Sequence, residues 1–313
     1  MKKLQFVFML SIVTVLAAAC GANNAEEEGE AKSKETVTVE HKLGETEVEK
    51  DPEKVVVFDF GALDTLDELD VDVAGVPQEN IPSYLEDYES DEYENVGSLK
   101  EPDFEKIAEI DPDVILISGR QSDLYEQLEE LAPTVYVGVD TSEYMDSFKE
   151  NVGKIGEIFD KEEEAETGLA DVEEKIEDVQ DDAEESDKDG LIVLANDDKI
   201  SAYGPESRFG LIHDVFGIPA VDEGIEVSTH GQNVTFEYVV EQDPDLLYVV
   251  DRSAAIGEGS AAEQVIENDL MEKTKAMKND DIYYLDPDYW YLSGGGLQSV
   301  SEMIDEVDAS LQE

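Results

Sequence analysis

Short runs of apolar, often β-branched residues recur along the chain and are followed by segments with helical apolar spacing. The runs KVVVFDFG (54–61) and GLIVLAND (190–197) predict buried strands. The segments ALDTLDEL (62–69) and RFGLIHDVFG (208–217) predict helices downstream of those strands. Because strands that alternate with helices are typical of parallel sheets, the pattern predicts an α/β protein.

Two stretches that lie 132 residues apart repeat the same pattern. FEKIAEIDPDVILISGR (104–120) and FEYVVEQDPDLLYVVDR (236–252) share Phe, Glu, Glu, Asp-Pro-Asp and a final Arg in register. Each stretch predicts a short helix, a turn at Asp-Pro-Asp and a buried strand. A repeat of this length is too long for a solenoid unit. We therefore expect two similar, Rossmann-like α/β lobes, residues 36–142 and 189–313.

The segment between these lobes, residues 143–188, has apolar residues at helical spacing. One helix of about 40 residues would span roughly 60 Å, enough to run along the back of both lobes. A helical hairpin or a coiled coil is the alternative. Because the apolar stripe ends where the second lobe begins, we prefer one long backbone helix that joins the lobes.

The N-terminus has the pattern of a secretory signal, which we assign to residues 1–19. Lys2 and Lys3 precede an apolar run from Leu4 to Ala19, and small residues precede Cys20, the single cysteine. The pattern resembles a bacterial lipobox, in which the cysteine is acylated. A membrane-spanning helix is the weaker alternative, because the run is short and a polar, acidic stretch follows. Residues 20–35 are predicted to be a lipidated cysteine with a disordered acidic tether.

Acidic residues dominate the composition. The chain has 81 Asp and Glu against 21 Lys and Arg, and its formal net charge is -60. Such a surface repels phosphates, so nucleic acid is excluded as a partner. The simplest interpretation is adaptation to high salt or to an alkaline exterior, where carboxylates keep a protein hydrated and salt screens their repulsion. The net charge therefore indicates the surroundings to which the protein is adapted and says little about its function.

The three arginines of the chain occupy related positions. Arg120 and Arg252 end the predicted strands of the repeat, and Arg208 lies in a loop before a predicted helix. Ligands of parallel α/β sheets bind beyond the carboxyl ends of the strands, so we expect all three in a cleft between the lobes. A guanidinium is planar and always charged, which suits an anionic ligand. The alternative is structural pairing with acids such as Asp251 or Glu206.

The stretch YYLDPDYWYLSGGG (283–296) contains the single tryptophan among several tyrosines. Aromatic rings beside a Gly-rich turn can form a wall for a flat ligand and can stack with arginine. Tyr284 and Leu285 fit the core of a strand. We expect Trp290 and Tyr291 to be the exposed pair.

Nothing in the sequence indicates catalysis. His41, His213 and His230 are scattered and lack metal-ligand spacing, and no GxSxG motif is present. The stretch SGGGLQS (293–299) opens a predicted helix and could hold an anion, but it lacks the Lys-Ser/Thr of a nucleotide loop. His213 fits helix packing, and His230 lies in a loop where it could contact a ligand. We therefore expect neither an enzyme nor an intrinsic cofactor or metal site.

Several longer strings resemble one family and span about residues 36–311. They are KVVVFDFGALDTLD, AGVPQENIPSYL, VGSLKEPDFEKIAEIDPDVILISGRQSDLY, AYGPESRFG and YYLDPDYWYLSGGG. With the features above, they resemble the helical-backbone class of ABC-importer substrate-binding proteins and, within it, the petrobactin-type siderophore-binding lipoproteins of Gram-positive bacteria. The resemblance implies capture of a ferric catecholate-citrate siderophore and its delivery to an ABC permease and its ATPase. The siderophore would supply the iron ligands.

The resemblance also implies roles for individual residues. Arg120, Arg208 and Arg252 match the basic residues expected to meet the anionic iron complex, and Lys100 matches a further cleft lysine. The chain departs from the family in its acidity, which is expected to slow the capture of an anion at low salt.

Glu105 and Glu237 occupy equivalent places in the two copies of the repeat. In this class one acidic residue per lobe docks on arginine pockets of the permease, so these two are the candidates. The alternative is ordinary, because the dipole of a helix favours acids near its N-terminus.

Two other hypotheses stay open. The same architecture could carry ferric citrate, haem or cobalamin, although three arginines favour a multiply charged anion over cobalamin. Haem usually needs an axial Tyr or His. The other hypothesis is a surface scaffold without a small ligand, which predicts no cleft and arginines satisfied by intramolecular acids. We expect a monomer, anchored by lipid at the outer face of the cell membrane.

Overall fold

The computed structural model describes residues 35–257 and 259–312. The predicted signal sequence, Cys20 and all but the last residue of the predicted tether lie outside these described residues. In the described part of the chain, no helix combines the length and the apolar character needed to cross a membrane.

The first sheet is parallel and follows an antiparallel hairpin. The hairpin strands are β1 (Thr36–His41) and β2 (Gly44–Glu49), and the sheet strands are β3 (Val55–Val57), β4 (Gly75–Val76), β5 (Glu94–Asn95), β6 (Val114–Ile117) and β7 (Thr134–Tyr136). The order is β5-β4-β3-β6-β7, with β3 and β6 buried along their whole length. The order reverses between β3 and β6, at the kind of switch point where doubly wound sheets bind ligands.

Helices cover this first sheet. They are α1 (Phe60–Glu68), α2 (Phe104–Ile110), α3 (Tyr125–Glu129) and α4 (Tyr144–Ile158), with 3-10 turns at Ser83–Glu89, Gly119–Leu124 and Thr141–Glu143. The predicted helix at 62–69 is α1, which begins two residues earlier because the Asp59 side chain caps it by accepting a hydrogen bond from the Ala62 N–H.

The chain then runs through α5 (Glu162–Ser186) into a second sheet. The strands of this sheet are β8 (Gly190–Asn196), β9 (Lys199–Tyr203), β10 (Gln232–Val234), β11 (Leu246–Asp251) and β12 (Ile282–Leu285), in the order β10-β9-β8-β11-β12. The remaining helices are α6 (Leu211–Asp214), α7 (Phe236–Gln242), α8 (Arg252–Ala255), α9 (Ala262–Ile266), α10 (Lys275–Asn279) and α11 (Leu297–Leu311), with a 3-10 turn at Met271–Lys273 and a π-helical turn at Asp288–Ser293.

The second sheet is mixed, so the prediction of parallel sheets is wrong for the two pairings that one strand, β9, makes. β8, β11 and β12 are parallel, whereas β9 and β10 are antiparallel to their neighbours. The cause is local: Asn196 pairs with Lys199, so only Asp197 and Asp198 join β8 to β9. Asp197 adopts a φ of 54°, as a two-residue hairpin turn requires.

The two copies of the sequence repeat have the same structure. α2 leads into β6 and α7 leads into β11. The N-caps of the two helices are Asp103 and Thr235, and each helix ends on an aspartate in the left-handed conformation, Asp111 at φ 54° and Asp243 at φ 50°. Each strand then begins three residues later. The prediction of a helix, a turn and a buried strand in both copies is confirmed.

The prediction of a single helix over 143–188 is wrong. α4 ends at Ile158 and α5 begins at Glu162. Asp160 has a φ of 52°, and the Lys161 N–H donates to the Gly156 carbonyl oxygen, which completes a Schellman end. The usual glycine of that motif is replaced by aspartate, so the sequence gives little sign of the break.

α4 and α5 pack against each other as an antiparallel hairpin. A Cβ atom built on Gly156 would lie 2.9 Å from the Ala165 Cβ, and farther from the turn Lys149 pairs with Glu173. The connection between the lobes is therefore α5 alone. Its 25 residues span about 37 Å.

The last helix, α11, packs on both α1 and α5. Its buried face comprises Leu297, Ser299, Val300, Met303, Ile304, Val307 and Ser310. A Cβ atom built on Gly61 of α1 would lie 2.8 Å from the Gly295 carbonyl carbon. The end of the chain is thus fixed against a helix of the first sheet.

Candidate ligand-binding site

A cavity of about 640 Å³, here called the main cavity, lies between the carboxyl ends of β3 and β6 of the first sheet and the connection from β9 to β10 of the second. Asp59 follows β3 and Ser118–Arg120 follow β6 on one side, and Glu206–Arg208 and Val227–Thr229 line the other. Tyr291 also lines the cavity. The predicted cleft between two α/β lobes is therefore present, and on the side of the first sheet it lies at the predicted strand ends.

A smaller cavity of about 300 Å³, here called the side cavity, shares Arg120 and Tyr291 with the main cavity. It is also lined by Lys100 and Arg252. All three arginines of the chain and the predicted cleft lysine therefore line these two adjoining spaces.

The three arginines converge on one residue, Tyr291. Nη2 of Arg120 donates to the Tyr291 carbonyl oxygen at 3.3 Å, and Nη2 of Arg208 donates to the same oxygen at 2.6 Å. Nε of Arg252 donates to the Tyr291 hydroxyl oxygen at 3.1 Å. These contacts join arginines from both sheets, as the prediction of a shared cleft required.

Arg208 also lies between two aromatic rings. Its Cζ is 4.3 Å from the centroid of the Tyr291 ring and 5.2 Å from that of the Phe209 ring. The Phe209 ring in turn meets the Tyr203 ring edge to face, with their centroids 4.7 Å apart. A planar cation is favourably placed between π faces. The expectation that arginine stacks with an aromatic ring here is confirmed, although Phe209 was not foreseen.

Carboxylates do not neutralise these arginines. Among the described residues, no Asp or Glu oxygen lies within 4.0 Å of a guanidinium nitrogen. Asp251 accepts hydrogen bonds from the Ala254 and Ala262 N–H groups instead. The one side-chain partner of Arg252 besides Tyr291 is neutral, the Asn196 amide oxygen at 2.8 Å, within the described part. The alternative of structural pairing with Asp251 or Glu206 is therefore not realised.

The pKa shifts reflect how closely the arginines and Tyr291 are packed. Burial lowers the pKa of Arg208, and the nearby charge of Arg120 lowers it further. Burial alone would raise the pKa of the Tyr291 phenol, but the Arg208 charge and the hydrogen bond from Arg252 outweigh burial, so this pKa is below its ordinary value of 10.0. The Tyr291 shift thus records the positive charge that Arg208 and Arg252 place beside the phenol.

The prediction that Trp290 is exposed is wrong. Its side chain is 2% exposed, and Nε1 donates to Oε2 of Glu306 on α11 at 2.6 Å. Trp290 and Tyr291 nevertheless both line the main cavity, and of the two only Tyr291 is partly exposed.

Lys100 and His230 are both exposed. Lys100 lines the side cavity, as noted above. Val227, Ser228 and Thr229 line the main cavity, but His230 is not among its lining residues. Ligand contact by either residue stays a prediction.

Glu105 and Glu237 are exposed in the first turns of α2 and α7. They occupy the same place in the two structural copies of the repeat. Hydrogen bonds from its own backbone N–H and from Thr235 hold the pKa of the Glu237 carboxyl below its usual range. This shift is what a helix N-terminus produces by itself, so docking on a permease stays a prediction.

Asp59 is a cavity residue that sequence reasoning missed. It follows β3 directly, as Arg120 closely follows β6. The rule that found the arginines, a charged residue beyond the carboxyl end of a buried strand, would have found it too. In a chain with 81 acids the signal was overlooked.

Comparisons with known proteins agree with this geometry. The family model described as periplasmic binding protein matches residues 55–289. The petrobactin-binding protein YclQ of Bacillus subtilis (strain 168) is 51% identical over 316 residues, which cover 100% of both chains.

Solved structures resemble the present one closely. The crystal structure of YclQ from Bacillus subtilis has a TM-score of 0.88 at 53% identity and covers 90% of this chain and 100% of that one. The periplasmic catecholate-siderophore binding protein VctP from Vibrio cholerae has a TM-score of 0.84 at 34% identity, with coverages of 88% and 100%. The α/β fold class and the resemblance predicted from the sequence are thereby confirmed. The chain belongs to the periplasmic binding protein family.

Proposed function

We propose that this protein captures a ferric siderophore of the petrobactin type and delivers it to an ABC importer for iron uptake. The observation that carries the proposal is the convergence of three guanidinium groups on Tyr291, in an interlobe cavity where no described carboxylate neutralises them. The names of the two relatives above, one petrobactin-binding and one catecholate-siderophore binding, support the same ligand class.

Binding requires no chemical step. An anionic iron complex entering the main cavity would exchange the hydrogen bonds that the arginines make to neutral oxygens for stronger, charge-assisted bonds to its own oxygens. The ring of Tyr291 would contact its flat catecholate groups. The siderophore brings the ligands of the iron, so the protein would bind the complex without catalysis and without an intrinsic cofactor.

The remaining elements of the proposal concern delivery. Glu105 and Glu237 would dock the loaded protein, one per lobe, on the permease that works with its ATPase. Lipid on Cys20 would hold a monomer at the outer face of the cell membrane. The short α5 connection and the packing of α11 on both α1 and α5 would limit how far the lobes open.

Fluorescence of Trp290 provides the test, since it is the single tryptophan. A coloured ferric catecholate in the main cavity should quench it in a saturable titration with ferric petrobactin. R120A/R252A should weaken affinity by at least about tenfold, because each arginine gives a charge-assisted contact.

The matched control is K54A/K278A. It also removes one exposed positive charge per lobe, but next to the amino ends of β3 and β12, away from the cavity. This variant should bind as the wild type does. If R120A/R252A binds ferric petrobactin as tightly as the wild type, the two arginines have a structural role and do not bind the ligand. If ferric petrobactin does not quench the fluorescence but ferric citrate or haem does so saturably, the ligand is one of those compounds and not a petrobactin-type siderophore.

A further inference from the structure

Asp64 is fully buried where α1 meets the start of α11. Its Oδ2 accepts hydrogen bonds from the Tyr84 hydroxyl at 3.0 Å and from the Ser299 N–H at 3.1 Å. Its Oδ1 is buried without a hydrogen-bond partner among the described residues. An unpartnered polar atom in a protein interior is uncommon and costly, so this carboxyl requires a functional explanation.

The carboxyl lies directly against the glycine turn Gly294–Gly296, which connects the π-helical turn to α11. A Cβ atom built on Gly296 would overlap Asp64 Oδ1, so only glycine fits there. The N-cap of α11 is this glycine, which has no side chain to cap with. Asp64 and Thr65 of α1 therefore accept the hydrogen bonds of the Ser299 and Leu297 N–H groups instead.

Two tyrosines extend this contact to the main cavity. The Ser293 hydroxyl donates to the Tyr84 hydroxyl oxygen at 2.6 Å, since the Tyr84 proton goes to Asp64, and the Tyr144 hydroxyl donates to the Gly294 carbonyl oxygen at 3.1 Å. Ser293 and Gly294 line the cavity two and three residues beyond Tyr291. Asp64, Tyr84 and Tyr144, here called the Asp64 cluster, thus hold the segment that presents Tyr291 to the three arginines.

Asp64 is the member of the cluster that changes charge near neutral pH. Burial raises the pKa of Asp64 to about 7, although hydrogen bonds from Ser299 and Tyr84 act in the opposite direction. Burial also raises the pKa of Tyr84 and of Tyr144, so both phenols stay neutral in this range. Two further carboxylates lie close by: the charge of Asp59 reaches Tyr144, and Asp288 accepts hydrogen bonds from Ser83, the neighbour of Tyr84.

We propose that Asp64 is a positioning residue for ligand binding: its neutral form holds the glycine turn and Tyr291 in place, and its ionisation loosens them. The proposal rests on the proposed function above. In the ionised form, Oδ1 carries negative charge with no donor to meet it, and the gap beside Gly296 must open to admit water.

The sign of the pH dependence follows from the pKa. The carboxyl is neutral below a pH of about 7 in the folded protein, whereas its ordinary value is 3.8. The folded state therefore loses stability as pH rises from the ordinary value through the raised one. Affinity for ferric petrobactin should be higher below this midpoint and lower above it.

The experiment compares the wild type with D64N and D67N, using the full chain. Asn reproduces a neutral carboxyl without ionising. Asp67 is the matched control, because it lies on the same helix and accepts a hydrogen bond from the Tyr88 hydroxyl at 2.8 Å, but it is exposed. Trp290 fluorescence is recorded from about pH 5 to about pH 9, first without ligand and then as the dissociation constant for ferric petrobactin.

We expect the ligand-free fluorescence of the wild type and of D67N to change with a midpoint near neutral pH, and their affinity to fall at least about threefold across it. D64N should lose the part of both changes that Asp64 causes. Glu306, which accepts the Trp290 hydrogen bond, also has a raised pKa through burial. Its contribution persists in D64N, so the difference between the two proteins reports Asp64.

The variant Y84F provides a second test of whether Asp64 causes the pH dependence. It removes a hydrogen bond that favours the ionised form, so it should move the midpoint of the ligand-free titration to higher pH. A D64N profile that follows the wild type in both measurements would overturn the proposal. A lost fluorescence transition with an unchanged affinity profile would leave Asp64 a structural residue only. If ferric petrobactin binds to none of these proteins, the proposed function fails, and the ligand-free titration still decides whether Asp64 controls the turn.

Discussion

Arg120 and Arg252 occupy the same position in the two copies of the repeat, yet their surroundings differ. Arg252 begins α8, is half-buried, and is held on two sides, by the Asn196 amide and by the Tyr291 hydroxyl. Arg120 is exposed, and its described side-chain hydrogen bond is the single, longer one to the Tyr291 carbonyl oxygen. One arginine is fixed before the ligand arrives, and the other is free to adjust.

The difference indicates how a two-lobed site can be both selective and adaptable. A fixed donor loses little conformational freedom when a ligand binds, whereas a long exposed side chain must be ordered. In the proposed function, the second lobe would provide the preorganised half of the site, with Arg208 and Arg252. The first lobe would provide Arg120 and Lys100, whose exposed side chains would follow the shape of the ligand.

The largest effect is expected at Arg208. Because it is held between two rings and donates to the Tyr291 carbonyl oxygen, R208A should weaken affinity for ferric petrobactin by about a hundredfold. R208K keeps the charge but loses the planar stacking, so it should recover only part of this loss. Isothermal titration calorimetry on both variants checks this. Full recovery by lysine would contradict the role given to the stacked guanidinium.

The two equivalent arginines should differ in single substitutions. R252A should weaken affinity by about tenfold, and R120A by about threefold, because the preorganised donor contributes more than the mobile one. Trp290 quenching measures both under the same conditions. Equal losses, or a larger loss for R120A, would remove the distinction between a fixed and an adaptable lobe.

Removal of the Tyr291 hydroxyl should release the fixed arginine. Y291F keeps the ring under Arg208 but deletes the acceptor for Arg252 Nε, so affinity should fall by about threefold. Y289F is the control, since Tyr289 lies on the same turn and stacks on Tyr84 instead. In the double variant Y291F/R252A the two losses should be less than additive. Full additivity would show that the contact does not preorganise Arg252.

The last prediction concerns the contrast between the positive charge of the arginines in the site and the negative charge of the whole surface. The site gathers all three arginines of the chain, but the chain has a formal net charge of -60, which repels an anionic complex at long range. Raising the salt concentration from about 0.05 M to about 1 M should therefore speed association by about threefold, as screening shortens that repulsion. Stopped-flow quenching of Trp290 measures the rate. A rate that falls with salt would show that the arginines dominate the field at the entrance.

The sequence was informative where local rules suffice. The repeat predicted both helix–turn–strand units, and the strand ends predicted where Arg120 and Arg252 lie, because the carboxyl ends of parallel strands share one edge of a sheet. The position of Arg208 in the cleft was predicted because this residue lies in a loop before a predicted helix. The break after Ile158 was missed, since Asp160 adopts a left-handed conformation that glycine usually signals.

Other features depend on contacts between distant residues. The burial of Trp290 depends on Glu306, 16 residues further on, and the convergence on Tyr291 joins residues up to 171 positions apart. Asp64 is one of 81 acids, and only the packing of α11 on α1 distinguishes it. Such features need the tertiary structure, because neither spacing nor residue type marks them.

The crystal structure of the full chain with ferric petrobactin tests the account most directly. We predict the complex in the main cavity, with the guanidinium groups of Arg120, Arg208 and Arg252 within hydrogen-bond distance of its oxygens and the iron coordinated by the siderophore. The Arg120 bond to the Tyr291 carbonyl oxygen should be broken, and the Arg252 bond to Asn196 retained. A complex bound elsewhere, or one in the cavity that all three guanidinium groups leave untouched, would contradict the account.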